Sequence, residues 1–132
     1  MSGRVAIRRY EEPDLPGVLR LCAIEDWPFL LEDVARAHRT LTAPGVTTLV
    51  AVKPGQLLGF AKLQSDGEIQ AHLTYIAVDP SERRRGIGRQ LIEHALREAG
   101  GVSVDLLADR ARAFFASLPH VQITGFRMYP RL

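Results

Sequence analysis

The residues best suited to chemistry in this chain are the arginines and glycines of residues 83–88, which read RRRGIG. Glycine accepts backbone angles that other residues resist and lets a ligand approach the main chain closely. Main-chain N–H groups at the start of a helix attract anions, and guanidinium groups bind phosphate in a bidentate manner. The segment therefore predicts a binding site for a phosphorylated ligand.

The flanking sequence predicts a strand before this loop and a helix after it. Residues 69–78 form an apolar run with β-branched side chains, which Asp79-Pro80 ends. From Ile87 onward apolar residues recur with helical spacing, and Gly100-Gly101 ends the pattern. The loop thus lies between the end of a strand and the first turn of a helix.

The loop fits the pattern R/Q-x-x-G-x-G/A at Arg83, Gly86 and Gly88, and the sequence Val-Asp-Pro precedes it at residues 78–80. It resembles the coenzyme A pyrophosphate signature of the GNAT superfamily of N-acetyltransferases. Other phosphate loops fit less well: the chain has no GxxxxGK[ST] motif, and Leu91 stands where a dinucleotide fingerprint has its third glycine.

The resemblance implies acetyl-CoA as cofactor and direct attack of an amine on its acetyl group. A main-chain N–H near Val78 would polarise the acetyl carbonyl and stabilise the resulting oxyanion. The pantetheine arm would run back along the strand, which typically separates from its neighbour at a bulge. The cofactor-binding residues implied in this way are Ile76, Ala77, Val78, Arg83, Arg84, Arg85, Gly86, Ile87, Gly88, Arg89 and Phe115.

Three residues are candidates for catalysis: His72, Val78 and Tyr129. Strand alternation predicts one face carrying His72, Thr74, Ile76 and Val78, and family members commonly keep a Glu, a His or an ordered water near this opening. The alternative to a catalytic role for His72 is a structural one, in which its imidazole is hydrogen-bonded to nearby backbone. Phe115 stands where the family usually has a tyrosine that protonates the leaving sulfur, so the acid is open among Tyr129, Tyr75, Ser117 and water.

The whole chain predicts one domain, residues 1–132, of the α/β (α+β) class. The resemblance implies the GNAT fold, a mixed, mostly antiparallel sheet of six to seven strands flanked by about four helices. The predicted strands cover residues 5–7, 47–52, 57–64, 69–78 and 102–107, with a closing strand within 121–129. Helices are predicted from residues 11–14, over 29–40 and from 87. The last helix fits the A-x-x-F-Y of the family at Ala111 and Phe114 but has Phe115 in place of the tyrosine, and the register beyond Leu118 stays open.

Composition favours a small phosphorylated ligand over nucleic acid. The formal net charge is only +2, although 15 of the 17 basic residues are arginine. No histidine spacing predicts a metal site. Cys22 is the only cysteine, so no intramolecular disulfide can form. With no signal-like or membrane-length apolar segment, we expect a cytoplasmic protein that makes no membrane contact, and a homodimer stays open.

Two classes of function fit these features. The first is an N-acetyltransferase acting on a primary amine of a small molecule or peptide. The second is a catalytically weakened acyl-CoA-binding sensor or interaction domain, which the changed position Phe115 would permit. Four carboxylates at residues 25, 26, 32 and 33 would suit a cationic amine, or they form a solvated helix face and a helix N-terminus.

Overall fold

The computed structural model describes residues 4–100, 103–108 and 110–130. Five strands, five α-helices and two 3-10 turns follow one another within this part of the chain. In order they are β1 (Ala6–Arg9), a 3-10 turn (Glu12–Asp14), α1 (Leu15–Ile24), α2 (Pro28–Leu31), α3 (Val34–Leu41), β2 (Val46–Lys53), β3 (Gln56–Ser65), β4 (Gln70–Val78), a second 3-10 turn (Pro80–Glu82), α4 (Ile87–Ala99), β5 (Ser103–Asp105) and α5 (Arg112–Ala116).

The five strands form one sheet in sequence order, from β1 at one edge to β5 at the other. All neighbouring pairs are antiparallel except β4 and β5, which are parallel. Parallel neighbours need a crossover connection, and α4 provides it. The predicted mixed, mostly antiparallel sheet is thereby confirmed.

The two faces of the sheet carry separate apolar cores. On one face Val18 and Leu21 of α1 pack with Val50 and Phe60. On the other face α4 contributes a row with a spacing of four residues, which is the period that lines one side of a helix. That row is buried at Ile87, Leu91, Ala95 and Ala99, and it packs on apolar side chains of β2, β3 and β4.

The predicted number of strands was too high. Five strands are present in the described residues, against the six to seven expected. The closing strand expected within residues 121–129 does not form, since this stretch has no regular secondary structure and leaves Val121, Phe126 and Met128 more than four-fifths exposed. The fifth strand covers only Ser103–Asp105, and the predicted Val102 lies outside the described residues.

The helix predicted over residues 29–40 is divided into α2 and α3. Asp33 has an extended backbone conformation, and its carboxylate accepts the main-chain N–H of Arg36 at 3.0 Å. An aspartate in this role begins a helix. The separate α2 raises the number of helices from about four to five.

A bulge in β4 overturns the predicted alternation of its side chains. Lys62 lies opposite Tyr75 and Leu63 opposite Leu73, so Thr74 is an extra residue on β4. Leu73 and Val78 both pack on the side of α4, although five residues separate them. His72 therefore lies on the opposite face of the sheet from Val78, and the prediction of a shared face was wrong.

No helix within the described residues has the length and apolar character needed to cross a membrane. Within the same residues, no three histidine, cysteine, aspartate or glutamate side chains are grouped to hold a metal ion.

Candidate functional site

Asp79 fixes the turn that joins β4 to the loop. Its carboxylate accepts the main-chain N–H of Ser81 at 2.9 Å, the Ser81 hydroxyl at 2.8 Å and the Arg20 guanidinium at 2.8 Å. These hydrogen bonds, those from Ser81 first, hold the pKa of Asp79 below its usual value. The loop therefore starts from a rigid point.

Gly86, one of the two loop glycines, has the unusual backbone angles that the glycine pattern predicts, whereas Gly88 lies within α4. Gly86 has φ +80° and Arg84 has φ +64°, both in the left-handed region. A Cβ built on Gly86 would have no atom within 4 Å, so this side of the loop is open. Side chains packed against the loop would have blocked an anion, and no side chain of the described residues does so at Gly86.

The first turn of α4 presents main-chain donors next to this open side. Gly86 is the N-cap and has no side chain to cap the helix, while the N–H of Gln90 is the first to bond within the helix, to the Gly86 oxygen at 3.0 Å. The N–H groups of Ile87, Gly88 and Arg89 accordingly have no acceptor inside the helix. Together with the helix dipole they favour an anion at this position.

The arginines of the loop differ in how they are held. Arg83 donates to the carbonyl oxygen of Val78 at 3.3 Å and pairs with Glu25 at 2.6 Å. Arg85 lies 3.4 Å from the carboxylate of Glu82. Among the described residues Arg84 forms no ion pair, so it is the loop arginine with the greatest freedom to meet a ligand.

Gly88 has a packing role that the sequence did not indicate. A Cβ on this residue would lie 3.2 Å from the Phe114 ring and 3.7 Å from the Val78 side chain. The missing side chain lets α5 approach the start of α4. Phe114 in turn contacts Phe115, with ring centroids 5.1 Å apart.

Beyond the first residues of β4, the sheet opens between β4 and β5. The two strands pair only from Gln70 opposite Ser103 to His72 opposite Asp105. A cleft of about 100 Å³ follows, and its lining from β4 and the chain after β5 consists of Leu73, Thr74, Tyr75, Ile76, Leu106, Leu107, Arg110, Ala111 and Phe115.

The main chain of Val78 faces the same open edge, two residues beyond Ile76, the last β4 residue of the cleft lining. The Asp79 N–H donates to the Leu58 oxygen at 2.7 Å, and Val78 lies opposite Gly59. In an antiparallel ladder this places Gly59 and Val78 at a non-hydrogen-bonded position. The N–H and C=O of Val78 therefore point away from β3, toward the edge that β5 has left. Ile76, two residues earlier, has the same orientation.

A second cavity, of about 420 Å³, lies on the other side of the bulge near His72. Its lining contains two carboxylates and no lysine or arginine; the residues are Pro44, Gly45, Val46, Gln64, Ser65, Asp66, Gln70, Ala71, His72 and Asp105. His72 and Asp105 each precede a residue that lines the cleft. The cavity therefore extends across β2, β3, β4 and β5 and adjoins the cleft at His72 and Asp105.

Tyr129 and Tyr75, two candidates for the acid, differ in where the structure places them. Tyr129 is 58% exposed, in the stretch without regular structure, and the structure does not bring it into the cleft lining. Tyr75 is half-buried beside Trp27, with ring centroids 4.9 Å apart, and burial raises its pKa. Phe115 does line the cleft, as the resemblance implied.

Three of the four carboxylates near α1 and α2 have structural partners. Glu25 pairs with Arg83, Glu32 lies 3.4 Å from Arg36, and Asp33 caps α3. The interpretation as a solvated helix face and a helix N-terminus is therefore the better one. The carboxylates that do border a cavity, Asp66 and Asp105, were not among the sequence candidates.

Lys62 is a further residue that the sequence did not single out. It is only 3% exposed, and its ammonium lies 5.9 Å from the centre of the Tyr75 ring. Burial lowers its pKa. A lysine inside an apolar strand run gives no sequence signal, because only the fold shows that its side chain turns inward.

Comparison with solved structures supports this description of the fold. An aminoglycoside acetyltransferase from an uncultured soil metagenomic sample, solved with sisomicin, has a TM-score of 0.77 at 24% identity, covering 97% of this chain and 96% of its own. A transcriptional regulator from Bacillus halodurans C-125 has a TM-score of 0.78 at 19% identity, covering 96% and 99%. Aminoglycoside N-acetyltransferase AAC(6')-Iy, solved with CoA, has a TM-score of 0.78 at 19% identity, covering 98% and 97%.

The sequence itself has no significant match among curated proteins. It does match the sequence profile of the acetyltransferase (GNAT) family over residues 6–118, which includes the loop, the cleft and α5. The CoA complex of a neighbour agrees with acetyl-CoA, the cofactor that the resemblance implied. Since the profile spans most of the chain and the fold agrees with it, this chain belongs to the acetyltransferase (GNAT) family.

Proposed function

We propose that the chain is an acetyl-CoA-dependent N-acetyltransferase acting on a primary amine of a small molecule or peptide. Bound acetyl-CoA supplies an acetyl group activated as a thioester. One observation carries the proposal: main-chain donors without an acceptor among residues 4–100, 103–108 and 110–130 occur both at the start of α4 and along the open edge of β4. A diphosphate and an extended amide chain need donors at these two places.

The loop is the proposed diphosphate site. The N–H groups of Ile87, Gly88 and Arg89 supply directed donors, and Arg84 and Arg85 add charge on the exposed side. Hydrogen bonds to a charged group are worth about 1.5–3 kcal/mol each. The open space at Gly86 lets the anion approach the main chain.

The edge of β4 is the proposed site of the acyl group. The Val78 N–H is fixed by the sheet and points into the opening between β4 and β5. A fixed donor costs no reorganisation when charge develops on an acyl oxygen, which is why such groups stabilise oxyanions. Val78 acts through its main chain, and Ile76 continues the same edge, while the N–H and C=O of Ala77 between them face β3.

The cavity beside His72 is the proposed entry for the acceptor. Two carboxylates and no cation in its lining favour an amine that arrives protonated. An alkyl ammonium with a pKa near 10.4 is neutral in about one molecule per thousand at pH 7.4, a cost of about 4 kcal/mol. His72 is the proposed base that removes this proton.

The phenyl ring of Phe115 cannot protonate the leaving sulfur. A thiol with a pKa of about 8.5 leaves as thiolate at neutral pH at a cost of about 2 kcal/mol. A cost of this size slows turnover by roughly thirtyfold without abolishing it. Tyr75 in the cleft lining, Tyr129, Ser117 and water remain the candidates for the acid.

The second candidate is an acyl-CoA-binding sensor, which the apolar ring of Phe115 in the cleft favours. It shares the cofactor site and differs only in turnover. One fold hosts both enzymes and regulators, so the fold does not separate the two. The cytoplasmic location and a homodimer also remain predictions.

Thermal unfolding with acetyl-CoA tests the cofactor site. A ligand at 100 times its Kd stabilises the folded state by about 2.7 kcal/mol. Charge reversal of Arg84 and Arg85 together should remove most of this stabilisation, with the loss greatest at low salt. The matched control reverses Arg39 and Arg97, which are exposed and lie away from the loop. No shift in the wild-type protein at millimolar acetyl-CoA would refute the site.

Release of free thiol across a panel of amines tests catalysis. The panel should contain diamines, amino sugars, aminoglycosides and peptides with a free N-terminus or lysine. Amine-dependent thiol release supports the enzyme, with cationic polar amines expected to be the best acceptors. A flat response from a protein that binds acetyl-CoA tightly would favour the sensor.

A further inference from the structure

Three separate segments of the chain meet at Glu25, the residue that follows α1. The Glu25 carboxylate accepts from the Arg83 guanidinium at 2.6 Å, and its main-chain oxygen accepts from Arg110 Nη1 at 2.8 Å. Arg83 is 58 residues away along the chain and Arg110 is 85 residues away. The contact therefore links α1, the glycine loop and the chain after β5.

The two arginines approach the cleft from different sides. Arg83 also donates to the carbonyl oxygen of Val78 at 3.3 Å, at the end of β4. Arg110 belongs to the opposite wall, where it lines the cleft with Ala111 and Phe115. Their shared contact to Glu25 brings the two guanidinium groups close to the end of β4, where the loop begins.

The local charge leaves room for an anion. Two guanidinium groups and one carboxylate give a net charge of +1 in this cluster. Each guanidinium has five N–H donors, and contacts among the described residues use two donors of Arg83 and one of Arg110. Planar donor groups of this kind match phosphate oxygens in geometry as well as charge.

We propose that Arg110 is a cofactor-binding residue that contacts the diphosphate of acetyl-CoA from the wall opposite Gly86. The Glu25 main-chain oxygen orients its guanidinium, and Glu25 with Val78 orients Arg83. The anion is then held between main-chain donors on one side and a pair of arginines on the other. This inference rests on the proposed function, because it assigns a second half to the same site.

Binding of two ligands to the full chain tests the assignment. Acetyl-CoA carries the diphosphate, and S-acetylpantetheine carries the same thioester without it. Arg110→Ala should weaken acetyl-CoA binding by about tenfold, because it removes one charge-assisted hydrogen bond whose worth at an exposed position lies at the low end of the range for such bonds. S-acetylpantetheine affinity should not change. Arg110→Lys should recover part of the loss, and Arg97→Ala, which removes the same charge from the far end of α4, should have no effect.

The salt dependence of binding gives a second readout. Removing a phosphate contact should reduce the dependence of acetyl-CoA affinity on ionic strength, while the unfolding temperature without ligand should stay close to wild type. An unchanged acetyl-CoA affinity in Arg110→Ala would overturn the assignment and leave the proposed function intact. Equal losses for both ligands would overturn it as well, because they indicate damage to the cleft wall. Absence of acetyl-CoA binding in the wild type would overturn both proposals.

Discussion

Substitution of Gly86 by alanine gives the sharpest test of the loop, because its cost in stability can be separated from its cost in binding. At φ +80° an alanine is strained by about 1–2 kcal/mol. The added Cβ meets no atom within 4 Å, so no steric term adds to the strain. For a domain of this size the loss lowers the unfolding temperature by roughly 3–10 °C.

Gly55 provides a matched control in the turn between β2 and β3. It has φ +75°, and a Cβ there would also meet no atom within 4 Å. Gly55→Ala should therefore cost the same stability as Gly86→Ala. Only Gly86→Ala should weaken acetyl-CoA binding, by about tenfold if strain displaces one main-chain donor to the diphosphate. Gly86→Asn should regain part of the stability, since asparagine tolerates the left-handed region.

Calorimetric titration with acetyl-CoA, together with thermal unfolding of the three variants and the wild type, decides the matter. Equal affinities for Gly86→Ala and Gly55→Ala would refute the assignment of the loop as the diphosphate site. A stability loss confined to Gly86→Ala would refute the strain argument, because the two glycines share the same backbone conformation and the same open surroundings.

Three further predictions concern the acid, the turn and the base. Phe115→Tyr should raise the rate of thiol release by about tenfold at pH values where the new phenol, with an ordinary pKa of about 10, is protonated; a lower rate, or a gain that persists after the phenol has ionised, would count against the missing acid. Asp79→Asn should lose about 1–3 kcal/mol at neutral pH. The pKa of Asp79 is lowered in the folded state, so its contribution to the free energy of unfolding is present above the unfolded pKa of about 4 and is lost as pH falls through the folded pKa. Chemical denaturation between pH 2 and 7 should therefore show that the variant loses less stability toward acid pH than the wild type does. His72→Gln should lower kcat by about a hundredfold with little change in acetyl-CoA affinity, and unchanged turnover would remove His72 as the base.

The loop and α4 could be predicted because their determinants are local. The row at Ile87, Leu91, Ala95 and Ala99 has the helical period in the sequence itself. The helix ends are also marked in the sequence by two glycines, Gly86 at the N-cap and Gly100 just after the helix, and both have positive φ. Short-range patterns of this kind need no knowledge of the rest of the chain.

The contacts of Glu25 could not be predicted, because they depend on segments that only the fold brings together. In the sequence Glu25 is one of four nearby carboxylates, and Arg110 is one of 15 arginines. The same holds for Lys62, which is buried with its ammonium over the Tyr75 ring of the neighbouring strand. The missing closing strand has a related cause, since residues 121–129 have a strand-like composition, but whether such a stretch pairs with a strand is decided by the fold and not by its own residues.

The extra residue at Thr74 changes the face of the sheet on which His72 lies, but it does not change the role proposed for the Val78 N–H. In a regular strand the side chains of His72 and Val78 would lie on one face, and the reaction would depend on the side chains of that face. In the structure Val78 contributes a main-chain N–H directed along the sheet, toward the edge that β5 has left, and that direction does not depend on which face its side chain occupies. His72 pairs with Asp105 at the last position where β5 is still paired with β4, and the cavity with two carboxylates lies beside it. The proposal of His72 as the base therefore rests on that cavity and not on a face shared with Val78.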